Sequence, residues 1–252
     1  MEFVGLVILS VFVGLVVIVA FAIDRQSKHD HRTKGEQGEA HVDQFLRQVP
    51  QSVVVSDIIL VDDKTGRSSQ IDHVVIRPNG VFVIETKNYA GSIYGDDNQR
   101  QWTQVLAYGQ TKNKMYNPVK QNSTHIWFLG RLLRQHNIYI NVVVFLRAEL
   151  HVSSSNWVCS NVHQLSNVLQ SDTGITLTQH NIDNIVAKLT DIKSNPQISK
   201  QEHIINIHNT QADIANNICP RCAQPLRLRE GKFGQFYGCS GYPKCRFVKD
   251  VD

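Results

Sequence analysis

Residues 70–87 read QIDHVVIRPNGVFVIETK, two runs of β-branched and aromatic residues on either side of the turn signal RPNG. This pattern predicts a β-hairpin in which the proline fixes the first corner of the turn. If the turn closes between Arg77 and Gly80, Asp72 lies opposite Glu85, with Cβ atoms roughly 5 Å apart. Lys87 follows Glu85 by two positions, so its side chain points to the same face of the sheet. A bulge at Gly80 would shift this register by one residue.

Asp72, Glu85 and Lys87 predict a metal-dependent phosphodiesterase site. Two carboxylates on one face repel each other unless a divalent cation neutralises them, and oxygen ligands suit Mg²⁺ or Mn²⁺. The metal would activate water and stabilise charge at the phosphate, while Lys87 would orient or deprotonate the water or offset phosphate charge. The alternative is an ion pair on a solvated face. The other residues of this face are apolar, however: Val74, Ile76, Val81 and Val83.

The spacing Asp-x12-Glu-x-Lys resembles the PD-(D/E)xK phosphodiesterase signature. The surrounding sequence is similar to one branch of it, the nuclease-related domain known as NERD, in four segments: Gly35–Glu39, Gln70–His73, Gly80–Asn88 and Asn117–Gln121. The resemblance covers roughly residues 35 to 150. It implies an α/β fold with a restriction-endonuclease-like core, a mixed sheet flanked by helices. A last amphipathic helix is predicted at residues 178–192, so we assign the domain to residues 35–192.

Two further residues are candidates for the site. Glu39, on a predicted first helix, would add a ligand or an orienting acid, or else it is a solvated residue that the helix dipole favours. In related PD-(D/E)xK exonucleases a glutamine on the helix after the core strands lies beside the active site. Gln121, just after the helix start signal Asn117-Pro118, is therefore a candidate for a phosphate or water contact, with a polar surface residue as the alternative. His125 is interpreted as structural, because a lone histidine is a weak signal.

The N-terminus predicts a membrane anchor. Residues 3–23 contain no charge, and these 21 residues can cross a roughly 30 Å hydrocarbon core as a helix. Basic residues follow at once and none precedes, so the positive-inside rule keeps the C-terminal domains in the cytoplasm. A cleaved signal peptide is the alternative, but the first residues are acidic and the apolar run is too long. We predict an anchor over residues 1–24, a juxtamembrane linker over 25–34, and a single-pass protein of the cell inner membrane.

The C-terminal segment predicts a zinc site. Cys219, Cys222, Cys239 and Cys245 form C-x2-C-x16-C-x5-C, which offers four thiolates for tetrahedral Zn²⁺. Disulfides are disfavoured by the predicted cytoplasmic location, and a redox pair lacks a βαβ context. The span resembles the zinc ribbons at the C-terminus of bacterial type IA topoisomerases, which bind single-stranded DNA. We assign the ribbon to residues 218–252, after a predicted linker over 193–217. Cys159 is interpreted as a buried apolar residue.

The ribbon has the composition of a DNA-binding module. From Cys219 to Asp252 it holds seven Lys or Arg residues and three acids, an excess equal to the formal charge of +4 of the whole chain. Its aromatic residues can stack on bases and its basic residues can contact phosphates. The candidates are Phe233, Phe236, Tyr237 and Tyr242, with Arg229, Lys232, Lys244 and Arg246. Alternatively, the aromatic residues pack a small core around the zinc.

Together these features predict a membrane-anchored, Mg²⁺- or Mn²⁺-dependent DNA nuclease. Its ribbon would hold single-stranded or frayed DNA near the site. The alternative is a non-catalytic, membrane-tethered DNA-binding protein that retains the nuclease fold, because such folds also occur as binding modules. The intact trio of Asp72, Glu85 and Lys87 favours the nuclease.

Overall fold

The computed structural model describes residues 26, 30, 33–231 and 234–251. Residues 33–46 form the first helix, α1. The later elements, in chain order, are β1 Val53–Val61, β2 Ser68–Arg77, β3 Gly80–Asp96, β4 Gln101–Leu106, β5 Thr111–Tyr116, α2 Pro118–Leu133, β6 Tyr139–Ser153, β7 Trp157–Cys159, α3 Val162–Gln170, α4 Gln179–Ser194, α5 Lys200–Ala215, β8 Leu226–Gly231, β9 Gly234–Cys239 and β10 Val248–Asp250.

Strands β1 to β7 form one mixed sheet, and β8 to β10 form a separate three-stranded sheet. The long strand β3 organises the larger sheet. Its first part pairs antiparallel with β2 and its second part with β4, while β6 runs parallel to it along nearly its whole length. The pairing of β3 with β2 therefore ends before its pairing with β4 begins. A gap lies between β2 and β4 on this side of β3, at the open end of the predicted hairpin.

Helices cover both faces of the larger sheet. On one face, residues of α2 and α4 such as Leu129 and Ile185 pack against Val74 and Val83. On the other face, residues of α1 and α3 pack against the alternate strand positions, among them Phe82 and Ile84. The two cores follow from the period of two along a strand, which sends neighbouring side chains to opposite faces. The predicted mixed sheet flanked by helices is confirmed.

The hairpin has the predicted register. Arg77 pairs with Gly80, and the ladder continues to His73 opposite Ile84 without a shift. Gly80 has a φ of 132°, a region that residues with a Cβ rarely adopt. The start of α2 is also as predicted, with the Asn117 side chain accepting from the backbone N–H of Val119 at 2.9 Å and Pro118 in the first turn.

The segment 193–217, predicted as a linker, differs most from expectation. Most of it forms α5, which packs on β2. Ser199 and Glu202 cap the start of the helix reciprocally. His203 is buried, and its Nδ1 lies 2.7 Å from Ser68 Oγ. The polar composition indicated a linker, but polar side chains of the segment bond to residues of the domain, as His203 does to Ser68.

Strand β5 has the polar sequence TKNKMY and forms through its pairing with β4, so its own residues give little strand signal. The predicted anchor at residues 3–23 lies outside the described residues. Within the part of the chain that the structure describes, no helix is both long and apolar enough to cross a membrane.

Candidate active site and metal centre

Asp72 and Glu85 meet where β2 and β3 separate. The ladder between the strands ends at His73 and Ile84, one position before the two carboxylates. Beyond this point the backbone N–H of Thr86 no longer bonds to the backbone of β2. It donates instead to the side chain of Asp72, at 2.8 Å from Oδ2. The end of pairing thus leaves the carboxylates in a gap between the strands.

Glu85 and Lys87 form a buried ion pair rather than a solvated one. Lys87 Nζ lies 2.7 Å from Glu85 Oε1, and the two side chains are 18% and 3% exposed. The parallel pairing of β3 with β6 holds both residues, opposite Val143 and Phe145. The register then shifts between Lys87 and Ala90, so a bulge begins directly after the lysine. Two charges at this depth require partners, and the site supplies them.

Helix α2 contributes two side chains to Glu85. Gln121 Nε2 donates to Glu85 Oε1 at 2.7 Å, and Lys87 Nζ donates to Gln121 Oε1 at 3.2 Å. One turn later, His125 Nε2 lies 3.2 Å from Glu85 Oε2, while its Nδ1 lies 2.6 Å from Ser69 Oγ. Both oxygens of Glu85 are therefore held in place.

Glu39 reaches the same cleft from α1, on the opposite side of the sheet. Its approach depends on Gly38, because a Cβ at Gly38 would lie 2.7 Å from the Cβ of Asn88. Asn88 Nδ2 in turn donates to the backbone oxygen of Lys34 at 2.7 Å. The close contact between α1 and β3 brings a third carboxylate to the cleft.

The electrostatics of the cleft favour a bound cation. Burial, together with the neighbouring carboxylates of Glu85 and Glu39, raises the pKa of Asp72 well above its usual value. Burial and nearby carboxylates also raise the pKa of Glu39. Burial opposes ionisation of Glu85, but Lys87 and His125 outweigh it and lower its pKa to about 2. Lys87 pairs with Glu85, and Lys34 and Arg147 also line the cleft.

The cleft is lined by carboxylates, the kind of oxygen ligand that Mg²⁺ and Mn²⁺ take. The cleft has a volume of about 560 Å³ and is lined by Asp72, Glu85 and Glu39. Mg²⁺ usually takes one or two carboxylates and keeps several waters, which an open cleft with hard oxygen ligands allows. Asn88 and Arg147 lie on the rim, with Arg147 Nε donating to Asn88 Oδ1 at 2.8 Å.

The zinc ligands are brought together as predicted. Among the described residues, Cys219, Cys222, Cys239 and Cys245 have sulfur atoms that all lie within 4.8 Å of one another. Cys219 Sγ lies 3.6 Å from Cys245 Sγ, and Cys222 Sγ lies 3.3 Å from Cys239 Sγ. Tetrahedral Zn–S bonds of about 2.3 Å separate sulfur atoms by about 3.8 Å, so the four residues fit Zn²⁺ with a small adjustment. Cys159 is buried in the main core, far from this group in the fold.

The eight predicted DNA-binding residues divide into four groups. Arg229, Phe236, Tyr242 and Arg246 line a cleft of about 430 Å³ on the ribbon. Tyr237 packs against the ribbon core, with Lys249 Nζ 5.3 Å from its ring centroid. Lys244 lines a different cleft, which faces α2. Lys232 and Phe233 lie outside the described residues.

The sequence interpretation missed the contact of His125 with Glu85. A signal was present, since His125 follows Gln121 by four residues and so lies on the same side of α2. Ser69 and Arg147 gave no such local signal. Their places depend on how α2 and β6 pack against the hairpin, which residue spacing alone does not specify.

Comparison with known proteins matches two separate parts of the chain. Residues 34–146 match the nuclease-related domain family, and residues 216–252 match the topoisomerase DNA-binding C4 zinc finger family. An uncharacterized protein of Bacillus anthracis is 29% identical over 211 residues, covering 80% of this chain and 98% of that protein. DNA topoisomerase 1 of Methanocaldococcus jannaschii is 31% identical over 93 residues, 34% of this chain but 12% of the enzyme. DNA topoisomerase 1 of Methanothermobacter thermautotrophicus is 53% identical over 34 residues, 14% of this chain and 5% of the enzyme. No solved structure matches the chain.

Proposed function

We propose that this chain, which joins a nuclease-related domain to a topoisomerase-type C4 zinc ribbon, is a membrane-anchored, Mg²⁺- or Mn²⁺-dependent DNA nuclease. One observation carries the proposal: Asp72, Glu85 and Lys87 converge in a single cleft, with Glu85 and Lys87 nearly buried and hydrogen-bonded to each other. Charged groups so placed are typical of functional sites. The core is proposed to be restriction-endonuclease-like.

Each residue has a distinct role in the proposed reaction. Asp72 and Glu85 would hold the metal, which when bound supplies Lewis-acid chemistry at the phosphate and lowers the pKa of water. Lys87, an ammonium donor to Glu85 and Gln121, would orient the attacking water or meet a phosphate oxygen. Glu39 would orient water from the α1 side. Arg147 on the rim would contact the DNA backbone.

A cleavage assay tests the proposal directly. The purified full chain is incubated with labelled single-stranded and double-stranded DNA, with Mg²⁺, with Mn²⁺ and without added divalent ion. We expect cleavage only with metal, and faster cleavage of single-stranded or frayed ends, since the ribbon would hold unpaired strands. Binding without cleavage under all these conditions would instead support the non-catalytic tether.

His125 is expected to position Glu85. Replacing His125 with alanine removes the partner of Glu85 Oε2, and the loss of such a partner typically reduces metal affinity or activity 10- to 100-fold. The Mg²⁺ concentration for half-maximal cleavage should therefore rise by about that factor, with metal-free DNA binding unchanged. His151→Ala is the matched control, because His151 is exposed and pairs with Glu149 away from the cleft. If His125→Ala has the Mg²⁺ dependence of the wild type, His125 does not position Glu85.

The membrane location is proposed from residues 3–23 and has its own test. A reporter fused after Asp252 should be active in the cytoplasm, because positive charge follows the apolar segment. Removal of residues 1–24 should release the protein from the membrane fraction. A periplasmic reporter signal would refute the orientation and reopen disulfide pairing of the cysteines.

A further inference from the structure

A groove runs between the outer side of α2 and the zinc ribbon. Two adjoining clefts of about 550 Å³ and 270 Å³ form it, and Arg221 and Arg246 of the ribbon line both. Its helical wall includes Lys120, Trp127 and Arg131. These positions are seven and four residues apart, so they share one side of the helix. The groove is thus built jointly by the domain and the ribbon.

The walls of this groove are basic. Lys64, Lys120 and Arg131 line it from the domain, and Arg221, Lys244 and Arg246 line it from the ribbon. Among the described residues that line the two clefts, none is an aspartate or glutamate. Asp62, just outside, accepts from Arg131 at 2.8 Å and offsets part of this charge. Like charges facing each other across a groove focus a positive potential that attracts an anion.

Helix α5 holds the two walls together. Arg67 of the domain contacts Asp213 of α5 at 2.6 Å. After the helix, the backbone N–H of Ile218 donates to the backbone carbonyl oxygen of Asp213 at 2.8 Å. Lys249 Nζ of the ribbon donates to the backbone carbonyl oxygen of Ile214 at 3.4 Å. Helix α5 therefore links the ribbon to the domain through these contacts.

Aromatic residues indicate which anion the groove fits. Trp127 lies in its wall beneath Arg131, whose guanidinium is 4.8 Å from the ring centroid, and Tyr116, 47% exposed, lies at the other end. Aromatic and guanidinium faces stack on unpaired bases. In a duplex the bases are stacked on each other, so only the sugar-phosphate backbone could contact these aromatic and guanidinium groups. Cationic walls with aromatic faces therefore fit a single strand.

The groove connects two surfaces already described. Arg246 also lines the ribbon cleft that contains Phe236 and Tyr242. At the other end, Lys120 directly precedes Gln121, whose side chain donates to Glu85. A strand that follows the basic residues would pass from the outer face of the ribbon to the start of α2, where the neighbouring Gln121 lines the cleft of Asp72 and Glu85.

We propose that the groove between α2 and the ribbon binds single-stranded nucleic acid and leads it toward the cleft of Asp72 and Glu85. The direction of the strand rests on the proposed nuclease function, whereas binding in the groove does not. The domain side of the groove then contributes phosphate contacts that an isolated ribbon lacks.

Neutralising the domain wall tests this inference. The full-length Lys64→Gln/Lys120→Gln protein and the wild type are titrated with a fluorescent oligothymidylate without added Mg²⁺, over a range of salt concentrations. Each lost phosphate contact should reduce the salt slope by about 0.7 and the affinity about fivefold at 0.1 M salt. We expect a slope smaller by about 1.4 and binding about 25-fold weaker. Arg221→Gln should lose one such contact on the other wall.

Two neutral substitutions elsewhere serve as controls. Lys188→Gln on α4 and Arg227→Gln on the ribbon are exposed and lie outside both clefts, so they should bind as wild type. If Lys64→Gln/Lys120→Gln also binds as wild type while Arg229→Gln binds more weakly, the strand lies on the ribbon alone and the groove is rejected. An equal loss for a duplex probe would reject the single-strand assignment. Neither result bears on metal-dependent cleavage, which is tested separately by substituting Glu85 with glutamine.

Discussion

Glu85→Gln is expected to lower the rate of metal-dependent DNA cleavage by about a thousandfold or more. Glu85 is the carboxylate that Lys87, Gln121 and His125 all contact, so its charge both binds the metal and orders the lysine. Metal ions contribute several kcal/mol to stabilising the transition state, and about 4 kcal/mol corresponds to three orders of magnitude in rate. The measurement is single-turnover cleavage at saturating Mg²⁺ and DNA.

A second variant separates lost chemistry from lost stability. Glu85→Gln leaves the Lys87 ammonium buried beside a neutral amide, so it should also destabilise the fold. Asp72→Asn should not, because the raised pKa of Asp72 indicates that its charge is unfavourable without metal, and asparagine can still accept from Thr86. Both variants should lose cleavage, and only the first should melt at a clearly lower temperature.

The matched control is Glu149→Gln, an exposed glutamate on β6 whose side chain is 72% accessible. It should cleave as wild type, and metal-free DNA binding should be retained in all three variants. Wild-type turnover in Glu85→Gln or Asp72→Asn would exclude the proposed site. Lys87→Ala should lose turnover with a smaller effect on metal affinity, since its ammonium is not a metal ligand.

Loss of zinc is expected to unfold the ribbon and to abolish its contribution to DNA binding. The buried core of the ribbon consists of Cys219, Leu226 and Cys239, with partly buried neighbours such as Tyr237. So small a core cannot stabilise a domain by itself, and structural Zn²⁺ typically contributes about 10–16 kcal/mol to folding in such units. Metal analysis should find one zinc per chain. Cys222→Ser should lose it, together with most of the single-stranded DNA affinity.

Cys159→Ala provides the control, because Cys159 is buried in the main sheet core, apart from the zinc ligands. It should keep one zinc and normal DNA binding.

Deleting residues 218–252 should weaken single-stranded DNA binding and its salt dependence, yet cleavage at saturating DNA should survive, since Asp72, Glu85 and Lys87 lie elsewhere. A zinc-free wild type, or a truncated protein with full DNA affinity, would contradict the assignment and indicate a protein-contact module.

Local sequence was sufficient for the features whose partners lie close along the chain. The hairpin register from Arg77 opposite Gly80 to His73 opposite Ile84, one position before Asp72 and Glu85, followed from the turn and from the period of two along a strand. The start of α2 followed from Asn117-Pro118, and the zinc ligands followed from cysteine spacing. The turn and the helix start are determined by a few consecutive residues. The zinc site is determined by a metal whose cysteine ligands occur at only a few sequence spacings.

The tertiary structure alone decided the features that join distant segments. His125 reaches Glu85, 40 residues away, because α2 packs on the sheet face that carries Val74 and Val83. Helix α5 formed where composition suggested a linker, because its polar side chains bond to Arg67 and Ser68. The basic groove exists because Arg221 of the ribbon and Lys120 of α2 line the same cleft. Such contacts are set by how preformed elements pack, and polar residues carry no periodic signal that identifies a partner so far along the chain.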